Sequence, residues 1–207
     1  MDPIARDYDA LAAEYARHVA GELAHKPMDR AWLTQFATAM AGRGVIADLG
    51  CGPGHVAAFL TAAGAETLGL DISPGMIAMA HAAHPALAFE VADMRALAAQ
   101  PARFAGAIAM YSLIHLAPAE LHPALLACHA SLRPGGEFRA AVHLGEGVLH
   151  PEALWGVPIT LGFRLFAPGA LEAALEAAGF RVTESLTREP YPEVEYPSRR
   201  AYVTARA

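Results

Sequence analysis

With 207 residues the chain is long enough for one sizeable α/β domain and hardly for two. Its hydrophobic residues make up 55% and its charged residues 17%, so a large core can form and an intrinsically disordered chain is excluded. Fifteen basic against twenty-one acidic residues leave a net charge of −6 with no Lys/Arg run, which disfavours nucleic acid as the main partner, because phosphate binding needs a positive face.

Residues 8–23 place Tyr8, Leu11, Tyr15 and Val19 on one helical face. Pro27 opens a second helix with Leu33, Phe36 and Met40 on one stripe, ended by Gly42 and Gly44. From residue 45 strands and helices alternate. VIADL reads as strand, 53–63 as helix and ETLGLD as strand. Pro74 opens a helix to about Ala83, and LAFEVAD and FAGAIAMY follow as the third and fourth strands. APAELHPALLACHASL reads as helix with a break or restart at Pro123, and the turn RPGG introduces the fifth strand, GGEFRAAVHL. Residues 145–166 have no clean period. PGALEAALEAAG is a last helix capped by Gly179, and FRVTESL and SRRAYVTAR close the chain as strands. Pro190, Pro192 and Pro197 exclude a tight hairpin between those two.

Such alternation implies a doubly wound, mainly parallel sheet with helices on both faces. Ligands bind such sheets at the carboxyl ends of the strands, near the point where strand order reverses. The glycine turn after residue 49 lies at that edge. Cys51 and Cys128 make neither a disulfide framework nor a zinc pattern, and the ten histidines lack supporting ligands, so no metal is expected and the setting reads as cytoplasmic. The opening MDPIARDYDALAAEYARHV is too polar for a signal peptide, and no apolar run reaches membrane-spanning length.

The turn itself, DLGCGPGH over 48–55, narrows the ligand. No lysine follows, which excludes a P-loop. A dinucleotide loop starting at Gly50 and Gly52 needs a third glycine where His55 stands. Asp48, two residues ahead of the first glycine, repels a pyrophosphate and suits a ligand with positive charge. S-adenosylmethionine (SAM), with its sulfonium and ammonium and no phosphate, is such a ligand.

At this point the chain resembles the class I SAM-dependent methyltransferases, in particular the small single-domain type acting on small molecules. DLGCGPGH (48–55), LGLDIS (68–73), VADM (91–94), YSLIHL (111–116) and LRPGGEF (132–138) match that family's motifs in order, and the likeness covers nearly the whole chain. It implies a Rossmann-like α/β fold with seven strands, mainly parallel, the last antiparallel. It also implies a single domain over 1–207: a helical cap (1–42), a SAM-binding half (43–144), and a lid or acceptor insert with the last helix and strands (145–207).

SAM would be the cofactor and S-adenosylhomocysteine (SAH) the product. The resemblance assigns ribose binding to Asp71, whose alternative role is that of an N-terminal acid for the helix at Pro74. Ile72 and Met76 would pack on the adenine or simply on the core. Asp93 and the Met94 N–H would read the adenine edge. Asp48 would act near the ammonium, through the loop or a water, or else brace the loop. The carbonyls of Gly50 and Met110 would accept from that ammonium, with Cys51 a small spacer between Gly50 and Gly52, and Pro53 completing the loop. Tyr15 would cover the cofactor and bind its carboxylate, or anchor its helix in the core; Tyr8 resembles such a residue less specifically.

Methyl transfer is an in-line displacement that rests on positioning, which alone can account for roughly 7–11 kcal/mol of barrier reduction. If a base is needed, His115 is the first candidate and His143 the second, and both can equally be structural. Related enzymes usually carry a lysine at position 143, so a neutral histidine weakens the case for an anion held there. Residues 145–166, with Trp155 and Phe163, form the expected acceptor wall, where Arg164 binds a carboxylate or faces solvent. The expected partner is a small-molecule acceptor of a monomer or homodimer. A peptide acceptor, a SAM- or SAH-binding protein without transferase activity and a nicotinamide-dependent oxidoreductase are the alternatives.

Overall fold

The computed structural model describes residues 1–207. Four helices begin on a proline whose fixed φ suits a first helical turn: α1 (Pro3–Val19), α2 (Pro27–Met40), α4 (Pro74–Ala83) and α5 (Pro118–Ser131). Two shorter helices, α3 (His55–Ala62) and α6 (Ala170–Ala177), each follow a glycine in the left-handed region. The strands are β1 (Ile46–Leu49), β2 (Thr67–Asp71), β3 (Ala88–Val91), β4 (Phe104–Met110) and β5 (Leu132–His143), with β10 (Arg181–Arg188) and β11 (Arg200–Arg206) at the end of the chain.

These seven form one sheet in the order β10-β11-β5-β4-β1-β2-β3. Only β11 runs against its neighbours, β5 and β10. Strand order reverses at β1, with β2 and β3 on one side and β4 and β5 on the other, so the switch point lies between the carboxyl ends of β1 and β4. All four residues of β1 are buried, as a central strand covered on both faces requires. Ile46 packs with Ile108 and Tyr202 against Trp32, Leu33, Phe36 and Met40 of α2. Its neighbour Ala47 points to the other face, where Ala107, Phe138 and Val203 meet Leu125 of α5 and Leu171 and Leu175 of α6.

Three local readings are refined. Pro123 leaves α5 unbroken: the N–H it lacks would have bonded the carbonyl of Ala119, in an exposed residue that water satisfies. RPGG is no separate turn. It opens β5 as an irregular segment, with Gly135 N donating to the Ala207 carbonyl (3.0 Å) and Ala207 N to the Gly136 carbonyl (3.0 Å). The patternless stretch folds as two nested ribbons: β6 (Val148–Leu149) with β9 (Phe163–Arg164), enclosing β7 (Ala153–Leu154) with β8 (Val157–Pro158). No helix is long and apolar enough to cross a membrane.

A buried charge ties α2 to the closing strands. Asp29 is fully buried and accepts from Tyr202 Oη (2.7 Å) and Arg188 Nη2 (2.8 Å). Removing the cation leaves a buried carboxylate unpaired, so Arg188→Met is expected to cost about 3–5 kcal/mol in urea unfolding at pH 7, and adding Asp29→Asn to recover part of it.

Candidate active site

The loop after β1 is shaped by contacts that only glycine permits. Gly50 has φ +71°, and a Cβ there would collide with the Cβ of Ser112, which follows β4. Tyr111, opposite it, also has a positive φ, +56°, an uncommon conformation for a bulky residue. Gly50 N and Cys51 N both donate to the Leu70 carbonyl (2.7 and 3.1 Å), which stitches the loop to β2. Asp71, at the end of β2, holds the next turn: Oδ2 accepts from Gly52 N (2.8 Å) and Oδ1 from Ser73 N (2.8 Å). Burial raises the Asp71 carboxyl above the usual range.

Helix α1 lies over this loop and is fastened by polar clasps. Asp9 accepts from Ser73 Oγ (2.6 Å) and Gly75 N (2.7 Å) at the start of α4. Asp7 accepts from Thr160 N (2.5 Å) in the insert. Tyr8 Oη donates to His115 Nε2 (2.7 Å), since His115 Nδ1 must carry the proton it gives to the Gly162 carbonyl (3.1 Å). Both His115 nitrogens are therefore taken, and burial pushes its pKa down to about 4. The residue named first as a base joins α1, the turn after β4 and the insert.

Beneath α1 runs a cleft lined by Tyr15, Gly50, Gly52, Asp71, Ile72, Met76, Asp93, Met94, Met110 and His115, so ten of the nominated residues meet at one place. Asp48, Cys51 and His143 line an adjoining chamber of about 360 Å³ that shares Tyr8, Tyr15, Gly50, Gly52, Met110 and Tyr111 with the cleft. Pro53 borders neither; it faces an apolar groove beside Phe59 and Ala83. Arg164 donates to the Leu116 carbonyl (3.1 Å) from the foot of the insert. Asp93 is engaged by Arg95, whose N and Nε donate to Oδ1 (both 2.9 Å), and Arg95 reaches on to Asp2 (2.5 Å) and Glu120 (2.8 Å). Nothing in local spacing singles Arg95 out.

Electrostatics separates the acids. Asp48 is 1% exposed, and its Oδ2 is buried without a partner. Burial pushes its carboxyl up to about 7, against the pull of His55. His55 Nδ1 is likewise buried without a partner, while Nε2 bonds Glu22 Oε1 (2.9 Å). Burial would raise the Glu22 carboxyl, but His55 and Lys26 hold it down at about 2. Glu22 and Lys26 sit in a turn that carries no sequence signature. Burial raises the Cys51 thiol, so it stays protonated. The Tyr15 hydroxyl has no protein partner, unlike that of Tyr8, and the Tyr15 ring carbon Cε1 stands 3.6 Å from where a Gly52 Cβ would be. His143 Nδ1 and Ser198 Oγ share a hydrogen bond (2.8 Å), the ring stacks on Tyr111 (centroids 4.8 Å apart), and Nε2 has no protein partner. Burial, with Arg200 nearby, holds its pKa down at about 4.

An orphaned carboxylate oxygen beside a glycine cradle with no lysine or arginine on the loop fits a cationic nucleoside, not a pyrophosphate. The profile of the methyltransferase-domain family matches residues 46–136, from β1 to the start of β5. Residues 46–136 are thus similar to a methyltransferase domain, and the seven-stranded sheet has the fold of SAM-dependent methyltransferases. The trans-aconitate 2-methyltransferase of Methylobacterium nodulans is 37% identical over 137 residues, 64% of this chain; the match spans 46% of that relative, under half its length. Among solved structures, a SAM-dependent methyltransferase from Methanosarcina mazei superposes with a TM-score of 0.71 at 17% identity, over 79% of this chain and 92% of that one. A Burkholderia thailandensis 1,6-didemethyltoxoflavin-N1-methyltransferase, solved with that compound and SAH, gives 0.63 at 24% identity over 94% and 89%. These two likenesses are likenesses of fold.

Asp48 generates a prediction with a definite sign. Its folded pKa (about 7) lies above the unfolded value (3.8), so its burial costs nothing below pH 4, and the cost grows until the pH passes 7. Asp48→Asn should therefore match the wild type in thermal stability at pH 4 and exceed it at pH 8, as read by differential scanning calorimetry without ligand.

Proposed function

We propose that the chain transfers the methyl group of SAM to a small-molecule acceptor. The observation that carries this reading is the unpartnered Oδ2 of Asp48, buried next to a glycine loop that Asp71 holds open. In SAM-dependent transfer the bound cofactor supplies a methyl carbon already activated by its sulfonium.

The chain's own residues position and shield. Asp71 turns its remaining lone pairs to the ribose while its bonds to Gly52 and Ser73 keep the carboxylate fixed. Asp48, ionised by the charge it meets, faces the ammonium together with the carbonyls of Gly50 and Met110. The free hydroxyl of Tyr15 binds the carboxylate of the methionine portion. Ile72 and Met76 pack on the adenine, and Met94 N–H reads its edge beside Asp93. Tyr8 and His115 hold α1 and the insert closed, which excludes water and strengthens each polar contact inside. His143 is the base that remains, because its Nε2 is free and both nitrogens of His115 are engaged. The names of the M. nodulans relative and the B. thailandensis neighbour, which concern a small acid and a small heteroaromatic compound, support a small-molecule acceptor.

Titration calorimetry on the purified chain should show uptake of SAH and none of NAD; heat from NAD alone would overturn the reading. Tyr15→Phe should weaken SAH binding by about 10- to 100-fold, the loss of one hydrogen bond to a charged group, and leave thermal stability without ligand unchanged.

A further inference from the structure

The chamber beside the cofactor cleft carries chemistry that neither the fold nor the family specifies. We infer that its occupant, the methyl acceptor, is an uncharged planar aromatic compound bearing an O–H or ring N–H, and not a carboxylate or a charged amine. This rests on the methyltransferase reading above and specifies its substrate.

The first support is the charge on the wall. Four carboxylates line the chamber, Glu22, Asp29, Asp48 and Glu195, against the cations Lys26 and Arg200. Neither cation is free. Lys26 Nζ lies 2.6 Å from Glu22 and 3.5 Å from Glu195. Arg200 donates Nη1 to the Ser198 carbonyl (2.5 Å) and Nη2 to that of Tyr196 (3.0 Å), and its Nε faces Glu195 at 3.3 Å. An anionic acceptor would meet excess negative charge and would have to break a buried pair to gain a counter-ion, which is strongly unfavourable. The carboxylates are equally committed. Glu22 and Glu195 are ion-paired, Asp29 is held by Tyr202 and Arg188, and Asp48, whose Oδ2 has no protein partner, is taken by the cofactor's ammonium on the reading above. A charged amine therefore finds no partner that is not already spoken for.

The second support is shape. Trp155 stacks on His18 with centroids 4.2 Å apart and planes 8° from parallel, and meets Tyr15 edge-on at 5.6 Å. Tyr111, stacked on His143, lines the same chamber. A cavity of about 360 Å³ lined by Tyr15, Trp155, Tyr111, Phe163 and His143 suits one or two rings, given that a cavity of roughly 150 Å³ holds benzene. His143 Nε2 is a polar atom of this wall without a protein partner. Ser198 Oγ occupies Nδ1, and in the tautomer with Nδ1 protonated Nε2 presents a lone pair to a neutral O–H or N–H.

The test is transfer of label from methyl-tritiated SAM by the full chain to three acceptor sets: hydroxylated aromatic and heteroaromatic compounds, aliphatic di- and tricarboxylates including trans-aconitate, and aliphatic amines. SAH binding is measured by calorimetry in the same preparation. The expected result is labelling of the first set, with kcat/KM at least ten times that for any member of the others. His143→Asn should then lower kcat about 100-fold on the best acceptor, with KM and SAH affinity near wild type. Failure to bind SAH would remove the methyltransferase reading itself. Intact SAH binding with label in the carboxylates or amines, or in none of the three sets, would overturn the aromatic acceptor alone.

Discussion

One carboxylate organises the molecule's working edge. Asp71 ends β2 and spends one oxygen on the backbone of the first glycine loop and the other on the turn into α4. Without it, the N–H of Gly52 and that of Ser73 would lose their acceptors, and two loops from neighbouring strands would be free to drift apart. The same turn reaches α1 through Ser73 and Asp9, so the helix that roofs the cleft is registered to the strand that floors it. On the proposed methyl-transfer reading, a site that must place a methyl group to within a fraction of an ångström is built on strand ends and braced by hydrogen bonds, and not carried on a free loop.

The charges around that edge divide the labour. Near the cofactor loop, Asp48 is kept close to neutrality by burial and stays available to a cation. Further out, every charged side chain on the acceptor wall is matched: Glu22 with Lys26, Glu195 with Arg188, Asp29 with Arg188 and Tyr202. Such a paired network adds little net stability, but it fixes where α2, β11 and the segment around Glu195 sit relative to each other. On the proposed reading, specificity for the acceptor falls to shape and to the imidazole of His143.

Much of this was legible in the chain before any coordinates. Alternation of apolar runs with prolines at helix starts reveals the doubly wound sheet, because the central strands β1, β2 and β4 are short apolar runs buried on both faces. Asp48, the glycines and Asp71 are legible because a tight turn after a strand constrains residue type strongly. What escaped depends on contacts distant in sequence. The need for glycine at position 50 comes from Ser112, and the engagement of His115 comes from Tyr8 and Gly162. A histidine at a cleft mouth looks like a base until both of its nitrogens are located. Lys26 and Arg200 gain meaning only by converging on Glu195, and Glu22 by pairing with Lys26 and His55, while residues 145–166 carry ribbons too short to leave a period.

The proposition underneath is that Asp71 holds the glycine loop and the nucleoside with the same carboxylate. Calorimetric titration of the Asp71→Asn variant with SAH examines both duties at once, because the amide keeps the volume and gives up one acceptor oxygen. A folded variant with affinity reduced about 10- to 100-fold is the expected result. Wild-type affinity in a folded Asp71→Asn protein would contradict it.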